Sequence, residues 1–119
     1  MQDYHQLEIW RRAMDYAVEL YRFTAQLPNE ERYNLTVQLR RAATSVALNV
    51  AEGSGSASNQ EFARFLGFAY RSLKEVVTGL ELCQRLYPAA PSQPVSVLID
   101  EGNQIGRMVR GFIARLREK

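Results

Sequence analysis

Residues 38–53, QLRRAATSVALNVAEG, decide how this chain folds. At 100° per residue, Leu35, Leu39, Ala42, Val46 and Val50 share one apolar helical face. Gln38, Arg41, Ser45, Asn49 and Glu52 form a polar ridge beside it. Val37, Thr44 and Leu48 lie opposite, where a surface helix is ordinarily charged. One apolar face serves a bundle core, and a second implies an additional partner.

The same periodicity continues on both sides. A first helix is expected over about 5–26, stopped by Leu27-Pro28 because proline disfavours helix in the residue before it. It carries two adjacent apolar stripes: Trp10, Met14, Ala17, Val18, Tyr21 and Ala25, then Ile9, Ala13, Tyr16, Leu20, Phe23 and Leu27. A narrow polar strip remains, in which Glu8 with Arg12, and Glu19 with Arg22, stand at self-pairing spacings. The second helix is expected over about 30–52, with Asn29 as its N-cap and Gly53 just past its end. Ser58-Asn59-Gln60-Glu61 reads as a capping box that opens a third helix, about 58–87. Its core stripe runs from Phe62 through Leu66, Leu73 and Leu80 to Cys83 and Tyr87. Prolines at 88, 91 and 94 make the longest loop. A fourth helix, about 95–117, keeps a stripe of Leu98, Gly102, Ile105, Val109 and Leu116, its glycines implying close packing on a bulky neighbour such as Trp10 or Tyr21. Four helices with short loops read as an all-α, antiparallel up-down-up-down bundle in one domain, 1–119.

Composition narrows the function. At 119 residues the chain supports one core without staples, and its single cysteine forms no internal disulfide. Neither a signal peptide nor a run of about 18 apolar residues stands out, so the cytoplasm is the expected location. Net charge is only +2, yet thirteen of the fifteen basic residues are Arg, whose planar fork suits phosphate. Enzyme motifs fail on inventory. With His5 as the sole histidine, there is no Glu-x-x-His pair, no zinc ligand set and no Arg-x-x-x-x-His motif of the kind some helical-bundle RNases use. Cys83 sits in a core stripe and reads as a small hydrophobe. The segment 53–58, GSGSAS, lacks the lysine and the spacing of a phosphate-binding loop. No catalytic residue, metal or cofactor is expected.

Arg40-Arg41-Ala42-Ala43, Ser45 and Asn49-Val50-Ala51-Glu52-Gly53, flanked by Leu7, Ile9-Trp10, Gln38, Glu61-Phe62 and Phe65-Leu66, resemble the signature of the bacterial four helix bundle family. That family includes proteins encoded in intervening sequences of 23S ribosomal RNA genes and the accessory protein of diversity-generating retroelements. The resemblance implies a ring-shaped homo-oligomer, a pentamer, acting as a non-catalytic scaffold for RNA or DNA. The alternative is a protein-interaction adaptor that docks a partner such as a reverse transcriptase. Asn34 stands where the family commonly has glycine, which fits if asparagine takes a left-handed conformation there.

Three sets of residues carry these expectations. Phosphate contacts are assigned to Arg40, Arg107, Arg110 and Arg117, with Arg11, Arg12 and Arg41 behind them. The subunit interface is assigned to the second apolar faces: Ile9, Tyr16, Leu20, Phe23, Val37, Thr44, Leu48, Phe68, Leu82 and Leu86. A structural polar network is assigned to Gln38, Arg41, Ser45, Asn49, Glu52 and Glu75, since charges beside apolar faces must be paired. On that division Arg41 ties helices together while Arg40 turns outward.

Overall fold

In a computed structural model, which describes residues 3–88 and 95–118, the chain forms four helices: α1 (Glu8–Thr24), α2 (Leu35–Ser54), α3 (Asn59–Leu86) and α4 (Val95–Arg117). Short 3-10 turns precede α1 (Tyr4–Gln6) and α2 (Asn29–Glu31), and the described residues contain no strand. The expected loop over 88–94 lies outside them apart from Pro88.

Contacts between helices give the topology. The end of α1 meets the start of α2 where Arg40 reaches Tyr21 and Thr24. Gly53, late in α2, lies against Phe62 at the start of α3, whereas Gly79, late in α3, lies against Leu39. Phe62 pairs with Phe112, and Tyr70 faces Gly106, so α3 and α4 also run oppositely. Arg12 and Tyr16 of α1 reach α4 in reverse order, at Glu101 and Leu98. Each helix is antiparallel to the next and α4 closes back on α1, in an elongated body of 47 × 21 × 20 Å.

The core is built from the stripes of α2, α3 and α4, with Leu39, Val46, Val50, Leu66, Leu73, Leu80, Ile105 and Val109 all buried. Helix α1 resolves its two stripes the other way from the interface assignment. Ile9, Tyr16, Leu20 and Phe23 are 4%, 1%, 0% and 0% exposed and belong to the core, while Met14, Val18 and Tyr21 face outward. Tyr16 explains the choice. Its hydroxyl donates to the Leu98 carbonyl oxygen at 2.8 Å, and its ring fills the hollow that Gly102 leaves in α4. A Cβ on Gly102 would lie 2.5 Å from Tyr16 Oη and 2.9 Å from Val77 Cγ2, so Tyr16, with Val77, is the bulky neighbour, rather than Trp10 or Tyr21.

Helix ends also depart from expectation. Asn29 begins a 3-10 turn instead of capping α2, which starts at Leu35. The cause is Glu31, buried where it accepts from the Tyr87 hydroxyl and from Asn34 Nδ2 at 3.2 Å. Holding that carboxylate inward breaks the helical path before Leu35. Asn34 has φ −129°, so left-handed geometry is not what it supplies. Helix α2 continues through Gly53 to Ser54, and the glycine is explained by close approach, since a Cβ would meet Phe62 Cδ1 and Phe65 Cβ, each at 2.9 Å. Ser58 caps α3 by accepting from the Glu61 amide at 3.1 Å.

Candidate nucleic-acid interface

The Arg40-Arg41 pair divides oppositely to expectation. Arg40 is half-buried, donating from Nε to Thr24 Oγ1 at 2.7 Å and to the Tyr21 carbonyl at 3.2 Å, with its guanidinium 4.6 Å over the Tyr21 ring. It therefore caps the Tyr21 carbonyl in the last turn of α1, which also accepts from the Ala25 amide. Arg41 is exposed and makes no hydrogen bond or ion pair among the described residues. Sequence could not separate the two, because one helical step decides which arginine faces α1.

The polar ridge contracts accordingly. Asn49 Nδ2 donates to the Ser45 carbonyl and Oγ, both at 2.9 Å, and Ser72 Oγ donates to Ser45 Oγ at 3.0 Å. This short chain joins α2 to α3. Gln38 reaches only Asn34, at 3.4 Å, while Glu52 and Glu75 are exposed and, like Arg41, stand outside the network. Ser72, missed from sequence, is the residue that completes it.

Two other arginines are also committed. Arg12 reaches across to α4 rather than along α1, contacting Glu101 at 2.8 and 3.2 Å, Gln104 at 3.0 Å and Met108 Sδ at 3.0 Å. Arg11 donates to the His5 carbonyl at 3.0 Å but remains exposed. Neither lines the clefts that hold the remaining candidates.

Those candidates gather along the groove between α3 and α4. A cleft of about 210 Å³ is lined by Tyr70, Lys74, Asn103, Arg107 and Arg110, with Leu73, Val77, Gly102 and Gly106 completing its wall. No carboxylate lines it. Lys74 Nζ stands 5.4 Å from the Tyr70 ring centre and the Arg110 guanidinium 5.5 Å from it. Burial pushes the Tyr70 phenol up, but hydrogen bonds and charge from Arg110 and Lys74 outweigh it and hold the group below its ordinary value. Further along the same groove a larger cleft of about 710 Å³ is lined by Arg64, Arg71, Arg117, Phe68 and the first turn of α3. Glu61 is the acid there, and it is already paired with Arg64 at 2.6 Å. Arg64 also lies 5.1 Å over Phe68, which meets Phe65 edge-on at 5.8 Å. Thus Arg107, Arg110 and Arg117 share one groove with Lys74, Arg64 and Arg71, the last three missed because they lie outside the Arg-rich C-terminal run.

Of the assigned interface residues, Val37, Leu48, Leu82 and Leu86 are exposed, Leu48 by 63%, while Thr44 and Phe68 are partly covered. Cys83 is buried, its thiol pushed up to about 11 by burial and then by the charge of Glu31. His5 lies against Tyr4 and Trp10 at the opposite end of the bundle, so the two form no pair. No group of three or more His, Cys, Asp or Glu that could hold a metal occurs among the described residues. Nor is any helix among them long and apolar enough to cross a membrane.

Comparison with known proteins bears on the fold and the family. No curated protein matches the sequence. A solved structure from Bacteroides thetaiotaomicron VPI-5482, a protein of unknown function from the S23 ribosomal protein family, superposes with a TM-score of 0.79 at 22% identity. The match covers 88% of this chain and 97% of that one, so the helical bundle is shared throughout. The model of the 23S rRNA-intervening sequence protein family matches residues 5–111, nearly the whole bundle, and the chain belongs to that family.

Proposed function

We propose that this protein is a non-catalytic nucleic-acid-binding scaffold that holds RNA or DNA along the α3–α4 groove and works as a homo-oligomer, a pentameric ring. The observation that carries the reading is the pair of clefts lined by Lys74, Arg107 and Arg110, then by Arg64, Arg71 and Arg117, with Glu61 as the one acid on either lining. A net charge of +2 is weak for one chain, but five copies sum to about +10 and repeat the groove around a ring. Membership in a family named for 23S rRNA intervening sequences makes 23S rRNA fragments the first RNA to test. Fluorescence-anisotropy titration with structured RNA, single-stranded RNA and duplex DNA across salt tests the mechanism. Each phosphate contact on a single strand should contribute a slope of about −0.7 in log K against log salt. Affinity that ignores salt would rule the groove out. Light scattering coupled to size exclusion tests the assembly, and a monomer at micromolar concentration would rule out the ring.

A second reading rests on a different observation. Met14, Val18 and Tyr21 on α1, with Val37 and Leu48 on α2, leave large apolar side chains exposed. Such surface fits a subunit interface or, in an adaptor, the docking of a protein such as a reverse transcriptase. Persistence of that exposure in the mass-verified oligomer, read by hydrogen exchange of α1, would favour the adaptor.

A further inference from the structure

The smaller cleft in the α3–α4 groove differs in kind from the larger one. Lys74, Arg107 and Arg110 converge on it from two helices without a carboxylate on its lining. None of the three has an acidic partner among the described residues, and Arg107 has no partner there at all. Tyr70 stands between Lys74 and Arg110 and brings a hydroxyl to the same place. Asn103 adds an amide that can donate or accept. The floor is apolar and lowered where Gly106 leaves out a side chain, with the Tyr70 ring 3.5 Å from where its Cβ would stand.

Cations without acidic partners around a part-apolar recess await an anion, and the size of the recess limits which one. Sites for drug-sized ligands occupy about 300–1,000 Å³. At about 210 Å³ the cleft is smaller than such a site and suits a compact anionic group such as a phosphate. Three positive charges on so small a space are more than the single charge of a phosphodiester requires. They suit a phosphomonoester, which carries about −1.5 to −2 near neutral pH because its second pKa is about 6. The rest of a strand has a path. The second cleft continues along α3 with Arg64, Arg71 and Arg117 for phosphates and Phe68 as a stacking face.

We infer that the cleft of Tyr70, Lys74, Asn103, Arg107 and Arg110 is a phosphomonoester site that captures the terminal phosphate of a nucleic-acid strand whose following nucleotides lie along the α3–α4 groove. The inference rests on the nucleic-acid reading, and the two are separable. A short single-stranded RNA is titrated in two forms, 5′-phosphorylated and 5′-hydroxyl, with a nucleoside 5′-monophosphate and inorganic phosphate as competitors. The phosphorylated strand should bind about tenfold more tightly, one charge-assisted phosphate contact's worth of affinity. The preference should fade below about pH 6 as the monoester takes up its second proton. Lys74→Gln and Arg107→Gln, both exposed, should abolish the preference, whereas Arg85→Gln removes the same charge from the far end of α3 and should keep it. Equal affinity for the two strands overturns the terminal-phosphate site and leaves the groove intact. Failure of both strands to bind overturns the site and the groove together. If the monophosphate competes as strongly as the phosphorylated strand, the site is for a small phosphomonoester and the strand-end assignment falls.

Discussion

Gly102→Ala isolates the contact that orients α1. Alanine is the better helix former by about 1 kcal/mol, so an unconstrained helix would be stabilised. Here the new Cβ would lie 2.5 Å from Tyr16 Oη, 3.2 Å from Tyr16 Cζ and 2.9 Å from Val77 Cγ2. Tyr16 is 1% exposed and tied to the Leu98 carbonyl, so it cannot retreat and keep its bond. Overpacking costs about 1–3 kcal/mol and leaving that hydroxyl unsatisfied about 1–3 kcal/mol more. Set against the helix gain, the expected loss is about 3 kcal/mol, or roughly 12 °C in Tm for a domain of this size. Gly67→Ala is the matched control, because no atom lies within 4 Å of its Cβ, and it should gain about 0.5–1 kcal/mol. Urea and thermal unfolding by circular dichroism, at one protomer concentration, give both numbers. If Gly102→Ala is as stable as the parent, or the two glycines respond alike, the account of how α1 chooses its buried face is wrong.

Other outcomes test other parts of the structure. Arg40→Ala should cost about 1 kcal/mol through its lost cap on α1, while Arg41→Ala should change stability by less than about 0.5 kcal/mol, as urea midpoints will show; equal effects would contradict the division between them. Removing the partly buried Arg12–Glu101 pair with Arg12→Ala should destabilise by about 1 kcal/mol, and Arg12→Ala with Glu101→Ala should be less than additive in a double-mutant cycle. Cys83 and Tyr87 hold their protons to about 11 and about 12, against ordinary values of 9.0 and 10.0, the first chiefly through burial and the second through its bond to Glu31. Folded values above unfolded ones mean that this stability is fully present below about pH 9 and lost as pH rises toward 12. Denaturation midpoints should therefore decline over that window, and less steeply in Cys83→Ala with Tyr87→Phe.

Legibility in the sequence followed the strength of the pattern. Helices α3 and α4 were readable because each offers one dominant apolar stripe, from Phe62 to Cys83 and from Leu98 to Leu116, and Ser58 marks a start by a local bond that needs no tertiary context. Helix α1 was readable as a helix but not as a face, since two stripes of equal period compete and only the Gly102 hollow decides between them. The start of α2 was hidden because Glu31 is drawn inward by Tyr87, a residue 56 positions away. In the groove, Arg107, Arg110 and Arg117 stood out as a basic run. Lys74, Arg64 and Arg71 did not, because their neighbours in the groove come from another helix.

Tyr16 and Leu98 are separated by 82 positions and Arg12 and Glu101 by 89, so the bonds between α1 and α4 close long loops. Contacts between sequential helices can form while the chain is still largely open, whereas the Tyr16 bond requires both ends of the domain to have met. The phenol therefore acts as a latch set late in folding, and its strength should be read in how slowly the protein opens. Weakening it by Tyr16→Phe should speed unfolding in stopped-flow measurements and leave the refolding rate nearly unchanged.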